Sequence, residues 1–105
     1  MKMIKAVIRP EKELDVVRGL EKEGFYSLTK LDVLGRGKQK GVQVGSAIYD
    51  ELAKLMLIVV VEDKDASRLV KTIEDHAKTG NFGDGKIFVS DVKEAYTIRT
   101  GRNRL

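Results

Sequence analysis

The chain has 105 residues, with 20 lysines and arginines against 16 aspartates and glutamates, for a net charge of +4. That is the length of one domain, 1–105, able to bury a core without staples. There is no cysteine and one histidine, His76, which excludes a disulfide scaffold, thiolate metal sites and a histidine-built zinc site. No apolar run approaches the roughly 20 residues of a membrane span. No long apolar segment follows Met1-Lys2-Met3-Ile4-Lys5, so no signal peptide is expected. A cytoplasmic protein without membrane insertion is the expectation. The mild basicity permits phosphate-bearing ligands without demanding them.

In chain order, Met3 to Ile8 reads as a strand, and Pro10 is a boundary where a helix can begin. Leu14, Val16, Val17 and Leu20 recur at three- and four-residue spacing, predicting an amphipathic helix stopped by Gly24. Residues 27–34 alternate. Leu28, Lys30, Asp32 and Leu34 share one face of a strand, and Thr29, Leu31 and Val33 share the other. A long polar stretch runs from about 36 to 53, with a helical turn expected near Ile48 to Leu52. Leu55 to Val61 is seven apolar residues rich in β-branching, which favours a buried strand. Asp63 or Asp65 is expected to cap a second helix, with the stripe Ala66, Leu69, Val70, Ile73 and Ala77. A glycine-rich loop over 79–86 leads into a strand at Ile87 to Val89. A short extended piece spans Ala95 to Ile98, before a basic tail.

The order β-α-β-β-α-β is the ferredoxin-like arrangement, an α+β fold whose two helices cover one face of an antiparallel sheet. The other face carries Met3, Val7, Thr29, Leu31 and Val33 beside a strand that is apolar on both sides. An exposed apolar face of that size marks an interface, so an oligomer packed sheet against sheet is expected.

Gly80-Asn81-Phe82-Gly83-Asp84-Gly85-Lys86 fits G-x-x-x-x-G-K, but Ile87 stands where a P-loop needs Ser or Thr, and the loop follows a helix instead of preceding one. It is not a Walker motif. Its composition still suits an anion: glycines admit backbone N–H groups to close range, and Lys86 adds a point charge. Taken alone, the loop reads better as a helix cap followed by a turn. Gly35 to Gly41, with Arg36, Lys38 and Lys40, is a second anion-suited segment. Arg99, Arg102 and Arg104 form a third cationic cluster.

Thr79-Gly80, Gly83-Asp84-Gly85-Lys86-Ile87-Phe88 and Ile98-Arg99-Thr100-Gly101 resemble the C-terminal signature of the PII nitrogen-regulatory signal proteins (GlnB/GlnK-like). Met3 to Pro10, and Thr29 through Gly35, Gly37, Lys38, Gln39, Lys40 and Gly41, resemble that family's N-terminal half. The resemblance spans nearly the whole chain. It implies a homotrimer with a cleft between each pair of subunits, where ATP and ADP compete. Residue by residue, it assigns Gly83, Gly85, Lys86 and Arg99 to the phosphates, with Asp84 and Thr97 in the same site. Gly35, Gly37, Lys38 and Gln39 would reach the same nucleotide, and Val7, Thr29 and Val60 would flank the adenine. It also implies 2-oxoglutarate beside Mg and ATP, with Gln39, Lys40, Gly41 and Lys54 as its residues and Gln39 nearest the metal.

Lys38 and Thr97 stand where arginines are common in the family, and Ile58 where a glutamate is usual; these departures bear on ATP affinity and on the choice between ATP and ADP. Tyr49 matches the tyrosine some members carry for nucleotidylation, but its surroundings match poorly and modification is not expected. The short loop most resembles the nitrogenase-associated NifI branch, first type. That implies a sister protein as a hetero-oligomer partner, and nitrogenase as a target docked through the loop 36–53.

Two other readings are weaker. An RNA-binding module of this fold needs stacking aromatics on its third strand, and Leu55 to Val61 has none, so no nucleic-acid partner is expected. A phosphoryl-transfer enzyme needs a positioned base, and none is visible, so no enzyme is expected.

Overall fold

The computed structural model describes residues 1–37, 42–44, 46–49 and 51–105. The elements are β1 (Lys2–Ile8), a 3-10 turn (Pro10–Lys12), α1 (Glu13–Lys22), β2 (Thr29–Gly35), β3 (Val42–Val44), β4 (Ala47–Tyr49), β5 (Leu52–Val61), α2 (Asp63–Ala77) and β6 (Lys86–Asp91). Four strands form one antiparallel sheet in the order β2-β5-β1-β6, and β3 and β4 pair as a separate hairpin. This is the ferredoxin-like α+β fold.

Alternation decides which side chains go inside. Ile4, Ala6 and Ile8 of β1 and Leu55, Leu57, Val59 and Val61 of β5 point to the helix side, where Val16 and Leu20 of α1 and Leu69, Ile73 and Ala77 of α2 meet them. Each large side chain in this core contributes about 1.5–3 kcal/mol. The end of α1 is fixed by a Schellman motif. Gly24, at φ +86°, lets its own N–H reach the Glu21 carbonyl at 2.9 Å and the Phe25 N–H reach the Leu20 carbonyl at 2.8 Å. Phe25 then packs on the core, and Arg68 of α2 lies 4.4 Å over its ring while donating to the Glu23 carbonyl at 2.7 Å. One arginine thereby ties α2 to the last turn of α1.

Several expectations change. Among the described residues, the expected helical turn near Ile48 to Leu52 is absent. Ala47–Tyr49 is a strand, and β5 already begins at Leu52. The pairing of Val44 with Ala47 leaves two residues in the turn, the spacing of a tight hairpin. The second strand runs Thr29–Gly35, one residue beyond the expected end. Helix α1 starts after the 3-10 turn, and Leu14 lies on its side away from Val16 and Leu20, 57% exposed. Neither Asp63 nor Asp65 caps α2. Glu62 holds the cap position without a side-chain bond, Asp63 pairs with the N-terminal amine at 3.0 Å, and Asp65 pairs with Arg68 at 3.3 Å. The piece at Ala95 to Ile98 is not a full strand; it makes one bridge, Tyr96 to Asn103, and leads into a turn at 98–100. His76 is exposed, as expected, yet its ring also lies on Gly19, where an added Cβ would come within 2.5 Å. Gly19 therefore permits α1 and α2 to approach closely at that point.

Candidate anion-binding site

Among the described residues, nothing covers the face of the sheet away from the helices. The register lays it out in rows: Val60 and Met3 with Ser90; Thr29, Ile58 and Lys5 with Phe88; Leu31, Met56 and Val7 with Lys86; and Val33 with Lys54. Phe88 is 56% and Leu31 42% exposed. The apolar face expected from the sequence is present, interrupted near its middle by Lys5.

The glycine loop rises at one end of this face. Its organiser is Asp84. One carboxylate oxygen accepts from the backbone N–H groups of Thr79 and Gly80, each at 2.8 Å, and the other accepts from the Thr79 hydroxyl and from Arg9 Nε, the latter at 3.0 Å. These bonds, the Thr79 hydroxyl foremost and its backbone N–H next, hold the Asp84 carboxyl well below the usual carboxylate range. Arg9 also donates to the Phe82 carbonyl at 2.7 Å. Gly85, at φ +103°, crosses β1 so closely that a Cβ there would lie 1.7 Å from the Val7 carbonyl oxygen. Only glycine fits that crossing. It delivers Lys86 to its pairing with Val7.

Lys54, the third residue of β5, donates to the Gly83 carbonyl. Burial, and then the neighbouring Arg9 charge, push its ammonium pKa below the ordinary lysine value. Its stem lies over Gly35, where a Cβ would come within 3.1 Å of Lys54 Cγ. Lys54 thus touches both the glycine loop and the root of the long loop. Lys86 is exposed and has no ion-pair or hydrogen-bond partner among the described residues. Positive charge, glycine backbone and sheet edge converge here, the composition of an anion site.

The structure therefore brings together Lys54, Gly35, Gly83, Asp84, Gly85 and Lys86. Val7, Thr29 and Val60 all lie on the uncovered face, but they do not form one pocket. Strand β5 stands between Val7 and Thr29, and Val60 is two rows away, opposite Met3. Thr97 sits in the C-terminal turn with its hydroxyl bonded to the Arg104 carbonyl at 3.3 Å, and Arg99 is exposed beside it. Gly37 is exposed. Lys38, Gln39, Lys40 and Gly41 lie outside the described residues. Arg9 was not singled out in the sequence. Its signal was its place just before Pro10, one residue past Ile8, which pairs with Leu55 next to Lys54. A cavity of about 450 Å³ opens on the helix side between α2 and β6 and reaches Gly85 and Lys86 from behind. Neither Arg9 nor Lys54 lines it.

The family model described as "Nitrogen regulatory protein P-II" matches residues 1–102. The chain is 58% identical over 102 residues to "Nitrogen fixation nifHD1 region GlnB-like protein 1" of Methanosarcina barkeri, covering 97% of both chains. It is 57% identical over 100 residues to "Nitrogen fixation nifHD region glnB-like protein 1" of Methanococcus maripaludis, covering 95% of each. It is 43% identical over 107 aligned residues to "Nitrogen regulatory protein P-II 1" of Methanothermobacter thermautotrophicus, covering 98% of this chain and 93% of that one. With a match that runs from the first strand through the glycine loop to the C-terminal turn, the chain belongs to the nitrogen regulatory protein P-II family.

Proposed function

We propose that the protein is a trimeric signal-transduction module that reads ATP against ADP, together with 2-oxoglutarate, and regulates a nitrogen-fixation target through its 36–53 loop. The observation that carries this is the convergence of Lys54, Lys86 and the Gly83–Gly85 backbone at the end of an uncovered apolar sheet face. A second and third copy packed on that face would remove the apolar surface from water. Their packing would also bring Thr29 and Val60 of one copy toward Val7 and the glycine loop of another, which accounts for their separation within one chain. Lys86, Arg99 and the glycine backbone then meet the phosphates. Asp84, with its oxygens already engaged, shapes the loop from within.

A dicarboxylate requires a cation, and Lys54 supplies one held in a partly buried setting by a single carbonyl. Binding 2-oxoglutarate there offers the ammonium a carboxylate in place of the Gly83 carbonyl. Because the Lys54 stem lies over Gly35, the exchange is felt at the root of the long loop. Magnesium, bound with the nucleotide, would take Gln39 as the chain's contribution and would offset the negative charge of the phosphates and the dicarboxylate. Magnesium is often held largely by phosphate oxygens, so the absence of a carboxylate cluster among the described residues is no obstacle. The loop state shifts only by the ligands' differential affinity for its conformations. The names of the relatives, which place them in nitrogen-fixation gene regions, support nitrogenase as the target and a sister protein as a possible partner. The reading is of a regulator in the cytoplasm with no catalytic step of its own.

Isothermal calorimetry tests it. The expected result is measurable 2-oxoglutarate binding only with Mg-ATP present, and weakened ADP binding in Lys86→Ala with the fold intact. Equal, strong 2-oxoglutarate binding without nucleotide would refute the shared site.

A further inference from the structure

We infer that Arg9 is a positioning residue for the nucleotide's phosphates, acting on the ligand through the 79–86 loop. This inference rests on the proposed nucleotide site. Three observations carry it. First, the hydrogen bonds Arg9 makes go to the loop, from Nε to Asp84 and from Nη2 to the Phe82 carbonyl at 2.7 Å, while Nη1 lies 3.9 Å from the Glu11 carboxylate. Second, its guanidinium lies directly on Gly83, where a Cβ would come within 3.2 Å of Nη2. Third, its side chain is only 23% exposed, and the Asp84 side chain is 24% exposed.

The chemistry explains why an arginine serves here. The loop has two parts to fix. Its entry is closed by Asp84 gripping the Thr79 and Gly80 N–H groups. Its crest turns at Gly83, at φ +98°. A rigid fork can bind the carboxylate that closes the entry and the carbonyl that precedes the crest at the same time. An ammonium reaches one of them. Arg9 is covalently rooted at the end of β1, next to the Val7 carbonyl that Gly85 crosses. It therefore sets the crest relative to Lys86, so that the free protein already holds the phosphate-receiving shape. Without it the loop samples other shapes, and apparent affinity falls by the fraction that remains competent.

The test uses the full chain with Arg9→Ala and Arg9→Lys. ADP affinity is measured by calorimetry, and the Thr79 and Gly80 amide signals by NMR without nucleotide. Arg9→Ala is expected to weaken ADP binding by about tenfold, the effect of losing charge-assisted bonds. Its Thr79 and Gly80 amide signals should move from the positions typical of carboxylate-bound N–H groups. Arg9→Lys, which keeps one of the two bonds, should recover part of the affinity and most of the amide positions. Should Arg9→Ala not fold, Arg9→Lys carries the test, with a partial loss expected. Wild-type ADP affinity in the variant, or unmoved amide signals, overturns the inference. If the wild-type chain binds no ADP, the nucleotide reading fails, and the amide signals still decide whether Arg9 shapes the loop.

Discussion

Replacing Gly85 with alanine probes the crossing on which the whole site depends. At φ +103° an alanine pays the left-handed penalty of about 1–2 kcal/mol. Its Cβ would also lie 1.7 Å from the Val7 oxygen and 2.8 Å from the Val7 carbonyl carbon. Both are backbone atoms of a central strand, so relief requires β6 to lift from β1, an overpacking cost of about 1–3 kcal/mol. The total, about 2–5 kcal/mol, is a large part of a stability of about 5–15 kcal/mol. Gly24→Ala is the control. Its φ is +86° with nothing within 4 Å of the added Cβ, so it should cost only about 1–2 kcal/mol. Urea unfolding of both variants at equal protomer concentration measures the difference, since assembly itself shifts apparent stability. Gly85→Ala should be the less stable by about 1–3 kcal/mol and should bind ADP more weakly, because Lys86 moves with the strand. Equal destabilisation of the two variants would refute the close-crossing argument.

Ile58→Asp places a carboxylate in the middle row of the uncovered face, beside Thr29 and Lys5. Light scattering should show loss of the trimer with the helix-side core intact by circular dichroism; an unchanged mass would mean that another surface assembles the protein. For Asp84 the sign follows from its depressed folded pKa. The unfolded chain binds the proton first, so the stabilisation is whole above the ordinary carboxylate value of 3.8 and is lost as pH falls below it. Asp84→Asn should therefore flatten the acid limb of the stability profile between about pH 4 and lower pH, and an unaltered limb would contradict the assignment. Lys54 should titrate below its ordinary value of 10.5 in the free protein and higher once 2-oxoglutarate is bound. NMR of its side chain across alkaline pH checks both, and no ligand-linked rise would remove Lys54 from the dicarboxylate site.

Much of this was legible in the residues. Alternation along residues 27–34 put Thr29, Leu31 and Val33 on the uncovered face, whereas β5, apolar on both sides, has its faces sorted only by its pairing with β1. Helical spacing found Val16, Leu20, Leu69 and Ile73. Leu14 was misassigned because it stands two residues before Val16 in the same helix, about 200° round its axis, so it does not share the buried face of Val16 and Leu20. The β3–β4 hairpin was missed although Gly45-Ser46 between Val44 and Ala47 is hairpin spacing. The charged surroundings masked so short an alternation. The glycine loop's suitability for anions was visible, but its internal wiring was not. Whether Asp84 meets a ligand or the Thr79 and Gly80 amides depends on a fold-back of five residues. Arg9 becomes part of the loop only through antiparallel pairing of β1 with β6, a contact more than 70 residues distant in sequence.

The central claim is that copies of this chain join through the uncovered sheet face and hold nucleotide where they meet. Native mass spectrometry with ADP, with Mg-ATP, and with Mg-ATP plus 2-oxoglutarate tests it most directly. The account predicts a trimer carrying up to three nucleotides, with 2-oxoglutarate adding only to the Mg-ATP form. A monomer that binds nucleotide at full stoichiometry, or a trimer that binds none, would contradict it.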